Sequence, residues 1–279
     1  MDISRHKFLF ENRYTTTTDQ AINVGGMCTL HAEKNIDVTI NDNDIRAISN
    51  SGNYINGLSM LRADRTNPET PEELPRDCDH VNVEALSNNF DFRQLYTSSQ
   101  NIDVGGLFRF AGEFTTTAVF NDNYINMAGY VSIGGLFQAG EIHDWLGKSK
   151  STTVDVFRNT VRYLYADSIG TGPDQGGSFL FNAWNNVDVD FEDNSIFTTY
   201  GSGTLLAINN GPSGVNSGSN LANYTTAVVR NNRFICDITD SSSSGIGGII
   251  KMSGNKTLNA IIDNNDIRVN SNDGDIGGV

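Results

Sequence analysis

The chain has 279 residues, and its 33 acidic and 19 basic side chains give a formal net charge of −14. This charge argues against nucleic acid and anionic membranes as partners, because both are themselves negatively charged. No apolar run approaches the ~20 residues of a membrane span, so we expect no membrane insertion. The first residues, Met1 to Lys7, lack the apolar stretch of a secretory signal. This start indicates a chain made in the cytoplasm or a segment of a longer polypeptide.

Alternating apolar residues predict short strands along the chain. In residues 187–198, Val187, Val189 and Phe191 alternate with acids, the pair Asp193-Asn194 breaks the alternation, and the pattern then resumes. Such alternation is typical of a strand with one buried face. The break predicts a sharp bend, because Asn tolerates the left-handed backbone conformation better than other non-glycine residues.

The same unit recurs about every 35 residues, which predicts a repeat architecture. With the bend asparagine as the register mark, buried positions fall at −7, −5, −3, +2 and +4 from it. On this interpretation the first mark is Asn12, and its rung is irregular because Arg5 and Lys7 take two of the buried positions. The other marks are the predicted structural bend asparagines: Asn43, Asn88, Asn123, Asn159, Asn194, Asn232 and Asn265.

Each repeat carries a third short strand, which follows a Gly-Gly pair in most copies, as at Gly105-Gly106 and Gly134-Gly135. No segment of helical period and useful length separates the strands. These features predict an all-β solenoid of about eight rungs, with three short strands in each rung and parallel pairing between rungs. Residues 1–279 are expected to form a single domain, incomplete at one or both ends. We expect the bend asparagines to stack and to form hydrogen bonds along the column.

The pattern apolar-x-apolar-x-apolar-x-x-Asn-x-apolar resembles the repeat of the right-handed parallel β-helix in the pectate-lyase-like superfamily. The resemblance covers nearly the whole chain. It implies that the asparagine lies at the tight bend between the second and third strands, and that the Gly-Gly strands form the first sheet. It leaves three functions open: the shaft of a bacteriophage tailspike or tail fibre that attaches to a host glycan, a polysaccharide lyase or glycoside hydrolase, and a bacterial surface adhesin.

The sequence favours the attachment shaft, which would place the protein in a virion tail; the alternatives would place it outside a cell or on its surface. Leu107, Leu136, Leu205 and Ile249 are expected to form an outward apolar column, which suits contact with sister subunits in a homotrimer or larger assembly. No carboxylate falls on the outward positions of the first sheet, where enzymes of the superfamily work. Catalysis therefore stays uncertain, and a non-enzymatic role is favoured.

Two sets of loop residues are candidates for chemistry. Carboxylates beside an aromatic ring suit general acid and base catalysis of glycan cleavage. Flat aromatic rings with polar neighbours suit glycan binding, because sugars present CH-rich faces and hydroxyl groups. The alternative for each tryptophan is a ring buried beneath its own loop. The candidate catalytic residues are Glu141, His143, Asp144 and Glu113, and the candidate glycan-binding residues are Trp145, Trp184, Arg109, Asn182 and Asn185.

No set of His or Cys residues has the spacing of metal ligands, so we expect no metal site and no cofactor. Calcium is the one ion left open, because Asp188, Asp190 and Glu192 alternate on one strand face with Asp155 one rung below. A solvated acidic face is the favoured interpretation of these residues. Cys236 falls on a buried position, where a thiol acts as a small apolar side chain.

Overall fold

The computed structural model describes residues 1–12, 29–30, 34–49, 61–63, 78–94, 102–104, 108–128, 131–133, 137–140, 149–164, 179–199, 205–208, 222–238 and 249–271. Within these ranges every regular element is a β-strand, and three long sheets account for most of them. Sheet 1 contains the third strand of each repeat, sheet 2 the strands before the bend asparagines, and sheet 3 the strands after them.

The strands are numbered in chain order. Sheet 1 has seven strands: β3 (Thr29–Leu30), β6 (Leu61–Ala63), β10 (Phe108–Phe110), β14 (Phe137–Ala139), β17 (Phe179–Phe181), β20 (Leu206–Ile208) and β23 (Ile250–Met252). Sheet 2 has eight: β1 (Asp2–Ser4), β4 (Asn35–Asn41), β7 (His80–Leu86), β11 (Thr115–Asn121), β15 (Ser151–Phe157), β18 (Asn186–Glu192), β21 (Tyr224–Arg230) and β24 (Thr257–Asp263). Sheet 3 has eight: β2 (Lys7–Asn12), β5 (Asp44–Ser49), β8 (Asn89–Gln94), β12 (Tyr124–Ala128), β16 (Thr160–Leu164), β19 (Ser195–Thr198), β22 (Arg233–Ile238) and β25 (Asp266–Ser271). A separate parallel pair joins β9 (Ile102–Val104) and β13 (Val131–Ile133).

Each strand of the three sheets pairs in parallel with the equivalent strand of the neighbouring repeat, as β18 does with β15 and β21. The chain is therefore a parallel β-solenoid, and the predicted fold class is confirmed. The predicted register is confirmed as well, because residues at one offset from the bend asparagine pair with each other. The two predicted columns are Phe120, Val156, Phe191 and Val229 in sheet 2, and Ile125, Val161, Ile196 and Phe234 in sheet 3. All eight side chains are buried.

Stacked phenylalanines fill the centre of the solenoid. Phe108, Phe137 and Phe179 of sheet 1 lie one above another, with 5.1 Å between successive ring centroids and nearly parallel planes. Rungs repeat at about the thickness of such a stack, so identical side chains at one offset pack without gaps. From sheet 2, Phe191 meets Phe179 edge-on at 5.0 Å. The stack therefore ties the sheets into one core.

The predicted mark of the first rung, Asn12, is wrong. The position that the bend asparagine takes elsewhere is held by His6, whose backbone N–H donates to Oδ1 of Asn43 over 3.0 Å. Asn12 ends β2 and pairs with Ser49. With His6 as the mark, Ile3 and Phe8 fall on buried offsets, and both pack against the core. The first rung is thus regular except for its missing asparagine.

The left-handed residue of each bend is also one position earlier than the sequence suggests. Asp193, with a φ of 58°, adopts this conformation immediately before Asn194. The same offset has positive φ in every described bend, at Arg5, Asp42, Ser87, Asp122, Arg158, Asp193, Asn231 and Asn264. The bend asparagine is therefore selected for its side-chain hydrogen bonds and not for its backbone conformation.

The expected outward apolar column packs against the core where it is described, with Ile249 buried and Leu205 partly buried. Ile249 is buried in the core cluster, and Leu205 packs against that cluster. Leu107 and Leu136 lie outside the described residues. Leu205 and Ile249 therefore need no sister subunit to cover them, and the homotrimer stays a prediction without their support.

Candidate functional site

The chain turns from sheet 1 to sheet 2 at a corner that stacks in register from rung to rung. We call it the sheet 1–2 corner, and its described residues are 111–115, 149–151, 182–186, 222–224 and 253–257. Backbone bonds join successive corners: Trp184 N–H donates to the Ser149 carbonyl over 2.8 Å, and Tyr224 N–H donates to the Asn185 carbonyl over 2.9 Å. Side chains of the corner therefore form columns along the solenoid, held in place by the sheets on both sides.

Trp184 lies at this corner with 44% of its surface exposed. The residue before it, Ala183, is fully buried, so the small side chain takes the inward position and the indole is turned outward. The alternative of a ring buried beneath its own loop does not hold for Trp184. An indole that is partly exposed offers a surface on which a flat apolar ligand face can pack.

A row of asparagine side chains runs beside Trp184 along the same corner. Oδ1 of Asn185 accepts a hydrogen bond from Nδ2 of Asn223 over 3.0 Å, and Oδ1 of Asn223 accepts one from Nδ2 of Asn255 over 3.4 Å. We call these three residues the corner amide row. They are in contact with solvent, and mutual bonding fixes their orientation while each amide keeps capacity for further bonds.

Tyr224 adds a second exposed ring one rung from Trp184. It pairs in register with Asn186, two residues after Trp184, and 47% of its surface is exposed. Sequence reasoning missed Tyr224, Asn223 and Asn255 as site residues. A signal was available for Asn223 alone, because Asn185 and Asn223 lie at the same offset from their bend asparagines.

Further along the corner, Lys150, Phe114, His80 and Thr115 make polar and aromatic contacts with one another. The Lys150 ammonium lies 4.0 Å from the centroid of the Phe114 ring, an arrangement that favours the cation through the ring quadrupole. Nδ1 of His80 is 2.8 Å from Oγ1 of Thr115, and the imidazole is 6.0 Å from the Phe114 ring. This part of the corner places a cation beside an aromatic ring, in contrast to the amide row.

Several predicted site residues lie outside the described residues, so their roles stay predictions: Glu141, His143, Asp144 and Trp145, together with the side chain of Arg109, whose backbone belongs to β10. Glu113 is exposed, and its backbone N–H donates to the Cys78 carbonyl over 2.7 Å. The described part of the chain therefore does not test whether Glu113 lies near the other members of its proposed catalytic set.

The two predicted asparagines of the glycan set differ in exposure. Asn185 is exposed, as a ligand contact requires. Asn182 is 1% exposed, and its backbone carbonyl accepts a hydrogen bond from Oγ1 of Thr152 over 2.7 Å. The burial of Asn182 gives it a place in the corner's internal structure and argues against direct contact with a ligand.

The predicted acidic face is present on sheet 2, where aspartates of the neighbouring strands β15 and β18 lie close together. Asp155 pairs in register with Asp190, and Asp188 lies two residues earlier on the same strand as Asp190. Burial, followed by repulsion from Asp190 and Asp188, raises the pKa of Asp155, and burial with repulsion from Asp190 raises that of Asp188. In the described part of the chain, no three His, Cys, Asp or Glu side chains are grouped so that they could hold a metal ion.

Two arginines on sheet 3 form ion pairs within their own strands. Arg46 and Asp91 are register partners, but Arg46 forms its ion pair with Asp44 over 3.1 Å and Asp91 with Arg93 over 2.8 Å. Burial of Asp91 opposes ionisation, yet hydrogen bonds from Arg93 and Asn126 and the nearby arginine charges lower its pKa. These contacts stabilise the sheet surface and do not build a site.

No family model, curated protein or solved structure matches the chain. Across the described ranges, no helix is long and apolar enough to span a membrane.

Proposed function

We propose that this solenoid is the shaft of a virion-type host-attachment protein that recognises a cell-surface glycan at the sheet 1–2 corner. The observation that carries the proposal is the exposed indole of Trp184 beside the corner amide row. The sequence resemblance to the β-helix of the pectate-lyase-like superfamily, which includes tailspike and tail-fibre shafts, supports the class of protein.

The chemistry of the corner suits a sugar polymer. Indole and phenol rings pack against CH-rich sugar faces, and oriented amides can both donate to and accept from sugar hydroxyl groups. Trp184 and Tyr224 supply the rings, and Asn185 and Asn223 supply the amides. A polymer that repeats along its length can lie along a corner that also repeats, with each sugar meeting an equivalent rung.

A rigid scaffold strengthens such binding. The corner lies between strands that are hydrogen bonded on both sides, so its side chains lose little conformational freedom when a ligand arrives. The net charge of −14 would repel an acidic polysaccharide. The proposed ligand is therefore a neutral glycan.

The attachment role places the protein in a virion tail as a homotrimer or larger assembly. Sedimentation of the purified chain tests this part separately, and a monomer at micromolar concentration would contradict it.

The test of the function is a binding panel of neutral and acidic surface polysaccharides, read both for retention of the chain and for release of reducing or unsaturated ends. We expect retention by at least one neutral glycan without release of ends, and loss of most retention in Trp184→Ala. Tyr124→Ala is the matched control, because this tyrosine is also exposed but lies on sheet 3. Release of ends would favour the lyase or hydrolase alternative, and equal retention of both variants would contradict the proposed corner.

A further inference from the structure

The corner amide row has a direction, because both of its hydrogen bonds run the same way. Asn255 donates through Nδ2 to Oδ1 of Asn223 over 3.4 Å, and Asn223 donates through Nδ2 to Oδ1 of Asn185 over 3.0 Å. The oxygen of Asn185 is therefore engaged, while its Nδ2 has no acceptor among the described residues. The row thus ends in an open N–H donor on an exposed side chain, and that side chain belongs to the residue next to Trp184.

The preceding rung explains why this donor is open. At the offset of Asn185 that rung carries Lys150, whose backbone carbonyl accepts from the Asn185 N–H over 3.0 Å. The Lys150 ammonium lies over the Phe114 ring at 4.0 Å, and an ammonium only donates hydrogen bonds. Because Oδ1 and Nδ2 of a planar amide diverge and Oδ1 accepts from Asn223, the Nδ2 of Asn185 is directed toward the Lys150 side. The Lys150 side chain has no oxygen to accept a bond from it.

Small side chains flank Trp184 in the adjacent rungs. Ser149 and Ala222 lie at the offset of Trp184, ten residues before their bend asparagines, and both are 0% exposed. Because these side chains are short and buried, they do not reach out over the exposed part of the indole. The ring therefore offers an apolar surface on the same rung as the open donor of Asn185.

An acetamido group matches both features. Its carbonyl oxygen accepts from N–H groups as the asparagine oxygens of the row do, and its methyl group is an apolar surface for an indole. A sugar hydroxyl offers an acceptor but no apolar part. A carboxylate is also an acceptor, but the net charge of −14 opposes the approach of an anionic sugar.

We propose that the glycan recognised at the sheet 1–2 corner contains a neutral N-acetylated amino sugar. Its acetamido carbonyl accepts a hydrogen bond from Nδ2 of Asn185, and its methyl group packs on Trp184. The acetamido group continues the corner amide row by one member, on the side of Lys150. This inference rests on the proposed function and adds the chemical class of the sugar.

Matched sugars separate the acetamido contact from sugar binding in general. The probes are soluble polymers that display N-acetylglucosamine, N-acetylgalactosamine or N-acetylmannosamine, and each is compared with a polymer of equal density that displays glucose, galactose or mannose. A polymer that displays glucuronic acid represents the carboxylate. We expect the parent chain to bind at least one N-acetylated sugar at least about tenfold more tightly than its hexose counterpart, because the hexose lacks the acetamido contacts.

Two substitutions that introduce the same charge isolate the donor of Asn185. Asn185→Asp keeps an oxygen for the bond from Asn223 but replaces Nδ2 by a second acceptor, so the preference for the N-acetylated sugar should fall at least about tenfold. Asn186→Asp adds the charge one residue later, at an exposed position outside the row, and should keep the preference. Trp184→Ala should weaken the binding of both kinds of sugar. Circular dichroism establishes that the three variants are folded.

Three results would overturn this inference and leave glycan recognition at Trp184 in place. The first is equal binding of the N-acetylated sugars and their hexose counterparts, with loss of both in Trp184→Ala. The second is tighter binding of the glucuronic acid polymer than of every N-acetylated one. The third is an unchanged preference in Asn185→Asp. Binding that Trp184→Ala leaves unchanged, or no binding of any of these sugars, would overturn the proposed recognition site as well.

Discussion

Asn159 and Asn194 are joined by two hydrogen bonds that share one oxygen. The backbone N–H and Nδ2 of Asn159 both donate to Oδ1 of Asn194, over 2.9 and 3.0 Å. Nδ2 of Asn159 also donates to the Phe120 carbonyl over 2.7 Å. The side chain thus joins the backbone of its own rung and of the preceding rung to the asparagine side chain of the following rung. Repeated along the column, this arrangement fixes the register in which the rungs stack.

Removal of one ladder amide should therefore be costly. Asn159→Ala leaves the backbone N–H and Nδ2 of Asn123 without their acceptor in a buried site, where each unsatisfied group costs about 1–3 kcal/mol. We expect the free energy of unfolding, measured in urea, to fall by about 3–5 kcal/mol. Asn186→Ala is the control, because Asn186 is exposed at the corner, and it should change stability by less than ~0.5 kcal/mol. Equal effects of the two substitutions would contradict the structural role of the ladder.

The phenylalanine core makes a second prediction. Phe191 is fully buried and contacts Phe179 edge-on and Phe234 in a stacked arrangement, with centroids 5.0 and 6.2 Å away. Phe191→Ala should lower the free energy of unfolding by about 3–5 kcal/mol through cavity formation. Phe197→Ala removes the same ring from the half-buried outer side of sheet 3 and should cost clearly less. A larger loss from Phe197→Ala would mean that the assigned faces are reversed.

The left-handed residues that precede the bend asparagines give a prediction about the backbone. Asp193 has a φ of 58°, a conformation that β-branched residues rarely adopt. Asp193→Val should therefore destabilise the protein by about 1–3 kcal/mol, whereas Asp193→Gly removes the steric cost. Glu192→Val, one residue earlier in β18, controls for the loss of an acid. If Asp193→Val and Glu192→Val give the same urea midpoint, this bend is not left-handed in solution.

Two aspartates should respond to pH in opposite directions. The pKa of Asp155 is raised from 3.8 by burial and by Asp190 and Asp188, so the folded protein holds its proton more tightly than the unfolded chain does. The destabilisation grows as pH rises from 3.8 through the raised pKa. Asp155→Asn should therefore stabilise the protein at neutral pH, and the gain should vanish in acid below 3.8.

Asp122 is the counterpart, because two hydrogen bonds of 2.8 Å from Arg158 lower its pKa below 3.8. Its contribution is present above 3.8 and is lost as pH falls through the lowered value. Asp122→Asn should thus destabilise the protein at neutral pH and not in strong acid. Thermal melting of both variants from pH 2 to 8 tests this pair, and profiles of the same sign would contradict it.

The period-2 alternation and the repeated Asn sufficed to predict the solenoid. The −3 column of Phe120, Val156 and Phe191 follows from counting back from each mark, because strand alternation and parallel register transmit one offset to every rung. The register of the first rung was not predicted, because His6, at its mark, has no side-chain amide. The left-handed position was not predicted either, because the residue before the mark varies, as at Arg158, Asp193 and Asn231, and carries no shared signal.

The candidate site was less accessible to sequence reasoning. Trp184 was predicted as a glycan contact, but its exposure depends on Ala183 taking the inward position in a corner too short to show a period. Asn223 and Asn255 join Asn185 only through the stacking of corners, which depends on the rung-to-rung backbone bonds. Long connections such as residues 141–148 carry no periodic signal at all, so nothing in their sequence places their side chains.

The most direct test of glycan recognition is the fluorescence of Trp184 during titration with the glycan that the panel identifies. The sequence contains two tryptophans. In the Trp145→Phe variant, Trp184 is therefore the only one left, and all tryptophan emission comes from its indole. We expect a saturable shift of its emission to shorter wavelength, because a sugar packed on the ring displaces water. Binding that saturates while the emission of Trp184 stays unchanged would contradict the account.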